Sequence, residues 1–223
     1  MFSVAIDGPA GAGKSTIAKK AAEELGYIYV DTGALYRSVG LACLRKGTDP
    51  ADKDGVVAVT KEISVQLKYV DGQQRVLLSG EDVSDDIRKE EVSMAASLVS
   101  KIPEVRAFLL DLQRKLAVTN NIIMDGRDIG TVVLPDADVK IFLTASAESR
   151  AKRRTIQLRE KGEEADEQAI LRDIIQRDYQ DTHRETAPLK AADDAELIDT
   201  TEMTLTESEK AVVDCIRKGI ERK

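Results

Sequence analysis

The sequence has little cysteine, little glycine and proline, and fewer basic than acidic residues. Its two cysteines, Cys43 and Cys215, exclude a Cys-only zinc site and a disulfide scaffold. The 33 lysines and arginines stand against 40 aspartates and glutamates, so the net charge is −7 and we expect no nucleic-acid partner. The 14 glycines and 5 prolines exclude a linker-rich or fibrous protein.

Long apolar runs are also missing. No segment approaches the roughly 18 consecutive apolar residues of a membrane span, so we expect no membrane contact. The N-terminal segment has no basic stretch and meets a charge at Asp7, so we expect no secretory signal and a cytoplasmic protein. Hydrophobic residues make up 42% of the 223 residues, which is enough to build the core of the single domain we expect.

Short apolar runs that alternate with helical patterns predict an α/β fold with a parallel sheet. The predicted strands are residues 2–6, 27–30, 122–124, 139–143 and 197–198. The predicted helices are residues 15–25, 32–44, 90–100, 105–117, 146–161, 166–184 and 206–220. Residues 63–70 and 75–78, with a turn at Asp71-Gly72, predict an antiparallel hairpin.

The first predicted strand is followed by a phosphate-binding motif. Gly8-Pro9-Ala10-Gly11-Ala12-Gly13-Lys14-Ser15 fits G-x-x-x-x-G-K-[ST] at every fixed position and opens a predicted helix. Backbone N–H groups from Gly8 to Thr16 are expected to surround a triphosphate, aided by the helix N-terminus. Lys14 is expected to reach the β- and γ-phosphates, and Ser15 to ligate Mg²⁺. The motif therefore predicts ATP and Mg²⁺ as cofactors.

The motif leaves three classes open: a small-molecule kinase, a switch GTPase and a motor-type ATPase. A GTPase needs an Asn-Lys-x-Asp motif to bind its base, and the sequence contains none. A motor ATPase usually has a longer chain. The length, the predicted hairpin and the basic helical segment near Arg150 favour a kinase.

Three further segments make the prediction specific. They are Asp31-Thr32-Gly33-Ala34-Leu35-Tyr36-Arg37, Met124-Asp125-Gly126-Arg127-Asp128-Ile129-Gly130 and Arg177-Asp178-Tyr179-Gln180-Asp181-Thr182-His183-Arg184. With the phosphate-binding motif, they resemble the bacterial cytidylate kinases over residues 6–199. This resemblance implies a P-loop nucleoside monophosphate kinase that transfers the γ-phosphoryl group of ATP to CMP or dCMP, and a monomer.

The resemblance also implies a domain plan and a set of site residues. A core of residues 1–62, 101–145 and 195–223 would carry a monophosphate-binding insert at about 63–100 and a lid at about 146–186. Thr32, Arg177 and Asp181 would contact the nucleoside, and Ser97, Arg106 and Asp128 would recognise cytosine. Arg37, Arg127 and Arg184 would bind phosphate. Arg127 and Arg184 are also expected to be catalytic, with Lys14 of the phosphate-binding motif and Arg154 of the basic segment that begins at Arg150.

Several of these residues have a second interpretation. The i, i+4, i+7 spacing of Arg177, Asp181 and Arg184 by itself favours an exposed salt-bridge ladder on a helix. The basic residues around Arg154 fit either a solvated helix or a lid over the triphosphate. Asp125 fits either an acid on the metal side or a structural role in the loop that follows it. The alternative functions are a kinase acting on AMP, thymidylate or shikimate, and a nucleotide-dependent switch protein.

Overall fold

The computed structural model describes residues 1–70 and 72–223. It contains a five-stranded parallel sheet, a three-stranded antiparallel sheet and helices, which confirms the α/β prediction. The strands are β1 (Ser3–Asp7), β2 (Ile28–Asp31), β3 (Val65–Val70), β4 (Gln73–Leu78), β5 (Glu81–Asp82), β6 (Ile122–Gly126), β7 (Val139–Thr144) and β8 (Glu196–Asp199). The helices are α1 (Lys14–Leu25), α2 (Thr32–Arg45), α3 (Lys53–Glu62), α4 (Glu90–Val99), α5 (Pro103–Thr119), α6 (Ala147–Glu160), α7 (Glu167–His183) and α8 (Leu205–Glu221).

The chain divides into two compact units. The first unit consists of Met1 and Ile28–Asn121, and the second of Phe2–Tyr27 and Ile122–Lys223. The phosphate-binding motif therefore lies in the second unit, together with the long charged helices α6 and α7.

The second unit is built on parallel strands in the order β6-β1-β7-β8. Val4 of the central strand β1 lies level with Ile123 of β6 and Val139 of β7. An unbroken apolar run is typical of a parallel strand whose two faces are both covered. Parallel strands end at one edge, so the polar residues that close β1 and β6 come close to the loop after β1, where ligands bind in such folds.

The helices of the second unit begin at side-chain caps. Ser146 accepts a hydrogen bond from the N–H of Ser149 at the start of α6, and Asp166 accepts one from Gln168 at the start of α7. Thr204 and Glu207 form a capping box at the start of α8. Helix α6 packs against α7, and α1 packs against α8.

The first unit has its own apolar core. Helix α2 packs against α4, and the fully buried residues Leu35, Val92 and Leu109 join α2, α4 and α5. Strands β3 and β4 pair antiparallel, as predicted, with Val65 opposite Leu78. The predicted turn residue Asp71 lies outside the described residues.

The predicted element boundaries differ from the observed ones by a few residues, and some short elements were not predicted. These are α3, β5, a 3₁₀ turn at Asp86–Arg88 and a π-helical turn at Ile129–Val133. Strand β5 and the two turns carry too few residues to show a hydrophobic period. The helix predicted to run through Arg184 ends one residue earlier, and Arg184 is its C-cap.

Candidate active site

The loop between β1 and α1 has a backbone that only glycine adopts readily. Gly8 has φ +148°, and a Cβ atom there would lie 1.9 Å from the carbonyl oxygen of Leu143. Gly11 has φ +75°, in the left-handed region. The loop therefore packs closely on β7, and its glycines permit the turns that direct several N–H groups to one side.

Lys14 is the buried cation of this loop. It is 5% exposed, and its Nζ donates to the carbonyl oxygen of Pro9 over 2.8 Å. Burial and the nearby Arg127 lower the pKa of Lys14 to about 7, although Asp125 and Asp7 oppose the shift. A bound polyanion favours the charged form and reverses this shift.

Ser15 and Asp125 lie together beside the loop. The Ser15 hydroxyl donates to Asp125 Oδ2 over 2.8 Å, and Asp125 is 4% exposed. A hydroxyl and a carboxylate are ligands that suit Mg²⁺, which takes few protein ligands and completes its shell with water and phosphate oxygens. Within residues 1–70 and 72–223, no group of three or more His, Cys, Asp or Glu side chains is placed to hold a metal alone. The pair thus fits a magnesium ion that phosphate also ligates.

Asp7 holds the loop that follows β6. Its Oδ1 accepts a hydrogen bond from the N–H of Ile129, and its Oδ2 accepts one from Gly130, each at 2.7 Å. Burial raises the pKa of Asp7 to about 6, against the effect of these two hydrogen bonds. Asp7 thus has a structural role in this loop.

Two ion pairs join this loop to the end of α7. Arg127 Nε lies 2.8 Å from Asp181 Oδ2, and Arg184 Nη2 lies 3.3 Å from Asp128 Oδ1. Burial raises the pKa of Asp181, but Arg127, Arg184 and Arg177 together bring it below its usual value. The predicted residues Arg127, Asp128, Asp181 and Arg184 are therefore close together and largely buried, unlike an exposed salt-bridge ladder.

The basic residues of α6 differ in their surroundings. Arg150 is buried and Arg154 is exposed. Arg153 donates to the Thr200 side-chain hydroxyl over 3.2 Å and to the Thr200 carbonyl oxygen. Arg177 of α7 is half-buried.

The first unit holds a second cluster of arginines, around one carboxylate. Asp31 closes β2 and caps α2, accepting a hydrogen bond from Ala34 N over 3.0 Å. Its Oδ2 lies 2.8 Å from Arg37 Nη2 and 3.1 Å from Arg88 Nη1. In the described part of the chain, the Nε of Arg37 is buried without a hydrogen-bond acceptor. Two guanidinium groups on one carboxylate leave a surplus positive charge.

The other predicted residues of the first unit lie on its helices. Thr32 is buried at the first position of α2, and Ser97 is half-buried on α4. Arg106 of α5 is 9% exposed, and its guanidinium lies 5.5 Å from the centre of the Tyr36 ring. Its Nη1 donates to the carbonyl oxygen of Ser100 over 3.3 Å.

Sequence reasoning passed over several polar residues that organise these clusters. Asp7 and Asp31 each close a predicted strand, and an acid at the carboxyl end of a parallel strand is a signal that was available. Arg88 and Asp178 carry no such signal, because a lone arginine after a hairpin and an acid within a charged helix are both common on surfaces.

The sequence was compared with protein families and with individual known proteins, and both comparisons identify the same family. The cytidylate kinase family matches residues 4–218. The chain belongs to the cytidylate kinase family. A cytidylate kinase from Caldicellulosiruptor saccharolyticus is 52% identical over 98% of this chain and 97% of its own, and one from Mycobacterium avium is 50% identical over 96% and 92%. The resemblance inferred from the sequence motifs is thereby confirmed.

Similarity to solved structures supports the fold of this cytidylate kinase family member. A gluconokinase from Sinorhizobium meliloti superposes with a TM-score of 0.51 at 14% identity, covering 99% of this chain and 94% of its own. At this identity the likeness concerns the fold alone. Within the described residues, no helix is both long and apolar enough to cross a membrane.

Proposed function

We propose that the protein transfers the γ-phosphoryl group of ATP to CMP or dCMP, giving ADP and CDP or dCDP. The observation that carries this proposal is the complete phosphate-binding loop in a member of the cytidylate kinase family. Phosphoryl transfer needs little covalent chemistry from the protein. It needs alignment of donor and acceptor, and positive charge around the group in transfer.

For the donor, we assign the triphosphate to the backbone N–H groups of residues 8–16 and to Lys14. The glycine conformations at Gly8 and Gly11 and the N-terminus of α1 support this assignment. Ser15 and Asp125 would hold Mg²⁺, which neutralises charge on the β- and γ-phosphates when bound.

For the acceptor phosphate, we assign Arg37, Arg88, Arg127 and Arg184. Each of them already contacts a carboxylate, which restrains the guanidinium group before a phosphate arrives. The buried, unpaired Nε of Arg37, within the part of the chain described, supplies a donor suited to an anionic ligand. The surplus positive charge around Asp31 supports the same assignment.

For the nucleoside, we assign Asp128, Ser97 and Arg106 to the cytosine. Cytosine presents an amino group at N4 beside acceptors at N3 and O2. The carboxylate of Asp128 can accept from N4, and Ser97 or Arg106 can donate to N3 or O2. Uracil has an oxygen at position 4, so it would leave the carboxylate without a donor. Thr32, Arg177 and Asp181 are assigned to the acceptor nucleoside.

We further assign residues 146–186 to a lid and Arg154 to the transferring phosphates. The exposure of Arg154 on α6 supports a side chain that can move onto the substrate. Closing a lid excludes water and suppresses hydrolysis of ATP.

A coupled assay for ADP tests the proposal. Purified protein with ATP and Mg²⁺ would be offered CMP, dCMP, UMP, AMP, GMP, TMP or shikimate. We expect the highest kcat/KM for CMP and dCMP. A Lys14→Ala preparation measures background from contaminating kinases. Preference for AMP, TMP or shikimate would replace the proposal with another small-molecule kinase, and ADP release without any acceptor would indicate a switch protein.

A further inference from the structure

Arg150 is a buried arginine for which the proposed chemistry provides no task. Its Nε donates to the carbonyl oxygen of Ala145 over 2.9 Å, and its Nη1 donates to the carbonyl oxygen of Ala10 over 2.9 Å. Its two Nη atoms also bind the carboxylate of Asp178 on α7, at 3.1 and 2.5 Å. These four hydrogen bonds fix both the position and the plane of the guanidinium.

The contact with Ala10 is a contact with the phosphate-binding loop itself. In a planar trans peptide, the C=O and the following N–H point in opposite directions. Because Arg150 binds the Ala10 oxygen, the N–H of Gly11 must point in the opposite direction within the same peptide plane. Arg150 therefore determines the direction of a backbone donor in the loop that we assign to the triphosphate.

Gly11 is a residue that needs such a constraint. Its φ of +75° is one of many conformations open to glycine, so the peptide before it has little resistance to rotation. The side chain of Arg150 also lies along this residue, since a Cβ atom on Gly11 would be 3.5 Å from the Cβ of Arg150. Arg150 thus supports the outer surface of the loop by packing as well as by hydrogen bonding.

We propose that Arg150 is a positioning residue for the donor nucleotide. It holds the Ala10–Gly11 peptide in the orientation that binds phosphate, and Asp178 on α7 holds Arg150. This inference rests on the proposed function only in that the loop binds ATP and ADP. It predicts that Asp178 affects the binding of the donor nucleotide, although its carboxylate does not contact that nucleotide.

The test measures binding of two nucleotides to two variants. Asp178→Asn keeps the side-chain shape and removes the charge. Arg150→Lys keeps the charge and removes the planar guanidinium group. Titration calorimetry with ADP and Mg²⁺ is expected to show a dissociation constant raised about tenfold in each variant, the effect of losing one charge-assisted hydrogen bond. The dissociation constant for CMP is expected to stay within about twofold of the original.

A second measurement follows the Gly11 amide directly. In the original protein, ADP is expected to shift the ¹⁵N–¹H resonance of Gly11 strongly as a phosphate oxygen accepts from it. In Asp178→Asn and Arg150→Lys, the same resonance at saturating ADP is expected to shift less. Full retention of this shift, with unchanged ADP affinity, would overturn the inference.

Glu81→Gln is the matched control, because Glu81 also forms a bidentate ion pair with an arginine, Arg45, and the substitution removes its carboxylate. It is expected to leave ADP affinity unchanged. Parallel loss of ADP affinity, CMP affinity and melting temperature in both variants would reduce Arg150 to a merely structural role and overturn the inference. If the original protein binds ADP, shows the expected variant effects and yet does not phosphorylate CMP, then the proposed function fails and this inference stands.

Discussion

Ser15 and Asp125 are joined by a hydrogen bond from Ser15 Oγ to Asp125 Oδ2 over 2.8 Å, although 110 residues separate them in sequence. The serine lies in the first turn of α1, and the aspartate lies in β6, level with Ile6 of β1. The pair brings a hydroxyl and a carboxylate to the loop that we assign to the triphosphate. Its chemistry makes magnesium dependence the first property to examine.

Asp125→Asn is expected to weaken the apparent affinity of the enzyme for Mg²⁺. The half-saturating Mg²⁺ concentration should rise about tenfold or more, because a carboxylate that supports the ion loses its charge. Steady-state rates over a Mg²⁺ titration at fixed ATP measure this. Asp136→Asn, which changes an exposed aspartate, is the control. An unchanged Mg²⁺ titration in Asp125→Asn would assign the residue a structural role only.

Nucleotide binding is expected to be coupled to proton uptake by Lys14. With a pKa of about 7 in the unliganded protein, Lys14 is mostly neutral at pH 8, and bound phosphates favour its charged form. The contribution of Lys14 to proton uptake on ADP binding should therefore be larger at pH 8 than at pH 6, where Lys14 is already largely charged. Calorimetry in two buffers of different ionisation enthalpy measures this uptake.

Lys14→Met is the matched variant for that measurement. It should abolish the proton uptake and lower turnover by about 100-fold or more, since the main cation at the phosphates is lost. Lys20→Met, on the exposed surface of α1, should change neither. Proton uptake that persists in Lys14→Met would mean that another group titrates.

Arg37→Ala and Arg127→Ala are each expected to raise the KM for CMP by about tenfold or more and to lower kcat, with little change in the KM for ATP. Each substitution would remove a proposed charge-assisted contact to the acceptor phosphate. Initial-rate measurements with either substrate varied distinguish the two constants. Arg217→Ala removes a surface arginine paired with Glu24 and serves as the control. A larger effect on ATP than on CMP would place these arginines at the donor.

Asp128→Asn is expected to lower the CMP/UMP ratio of kcat/KM at least about tenfold. The amide can donate to the O4 of uracil, and it loses the charge-assisted bond to the N4 of cytosine. Asp128 also contacts Arg184, so the substitution can disturb phosphate binding as well. That disturbance lowers kcat/KM for CMP and for UMP by the same factor, so it cancels in their ratio. A ratio equal to that of the original protein would show that Asp128 does not recognise the base.

Local sequence determined the elements that carry the phosphate-binding loop. The apolar run before Gly8 predicts β1, the glycines permit the turn, and Ile17, Ala18, Ala21 and Ala22 give α1 its buried face. These signals are local because hydrogen bonds within a helix and the sterics of glycine act over a few residues. The candidate substrate-binding residues came from the resemblance of whole segments to the cytidylate kinase family, because their periodicity alone favours an exposed helix surface.

Only the tertiary structure decided which polar groups meet. Arg150 binds Ala10, which is 140 residues away, and Asp7 binds Gly130, which is 123 residues away. No periodicity connects such residues, because their contact depends on the strand order of a parallel sheet and on the packing of α6 and α7. The sequence alone therefore determined that this chain has a loop for phosphate. The fold decided, by bringing distant carboxylates and guanidinium groups together in buried surroundings, how that loop is supported.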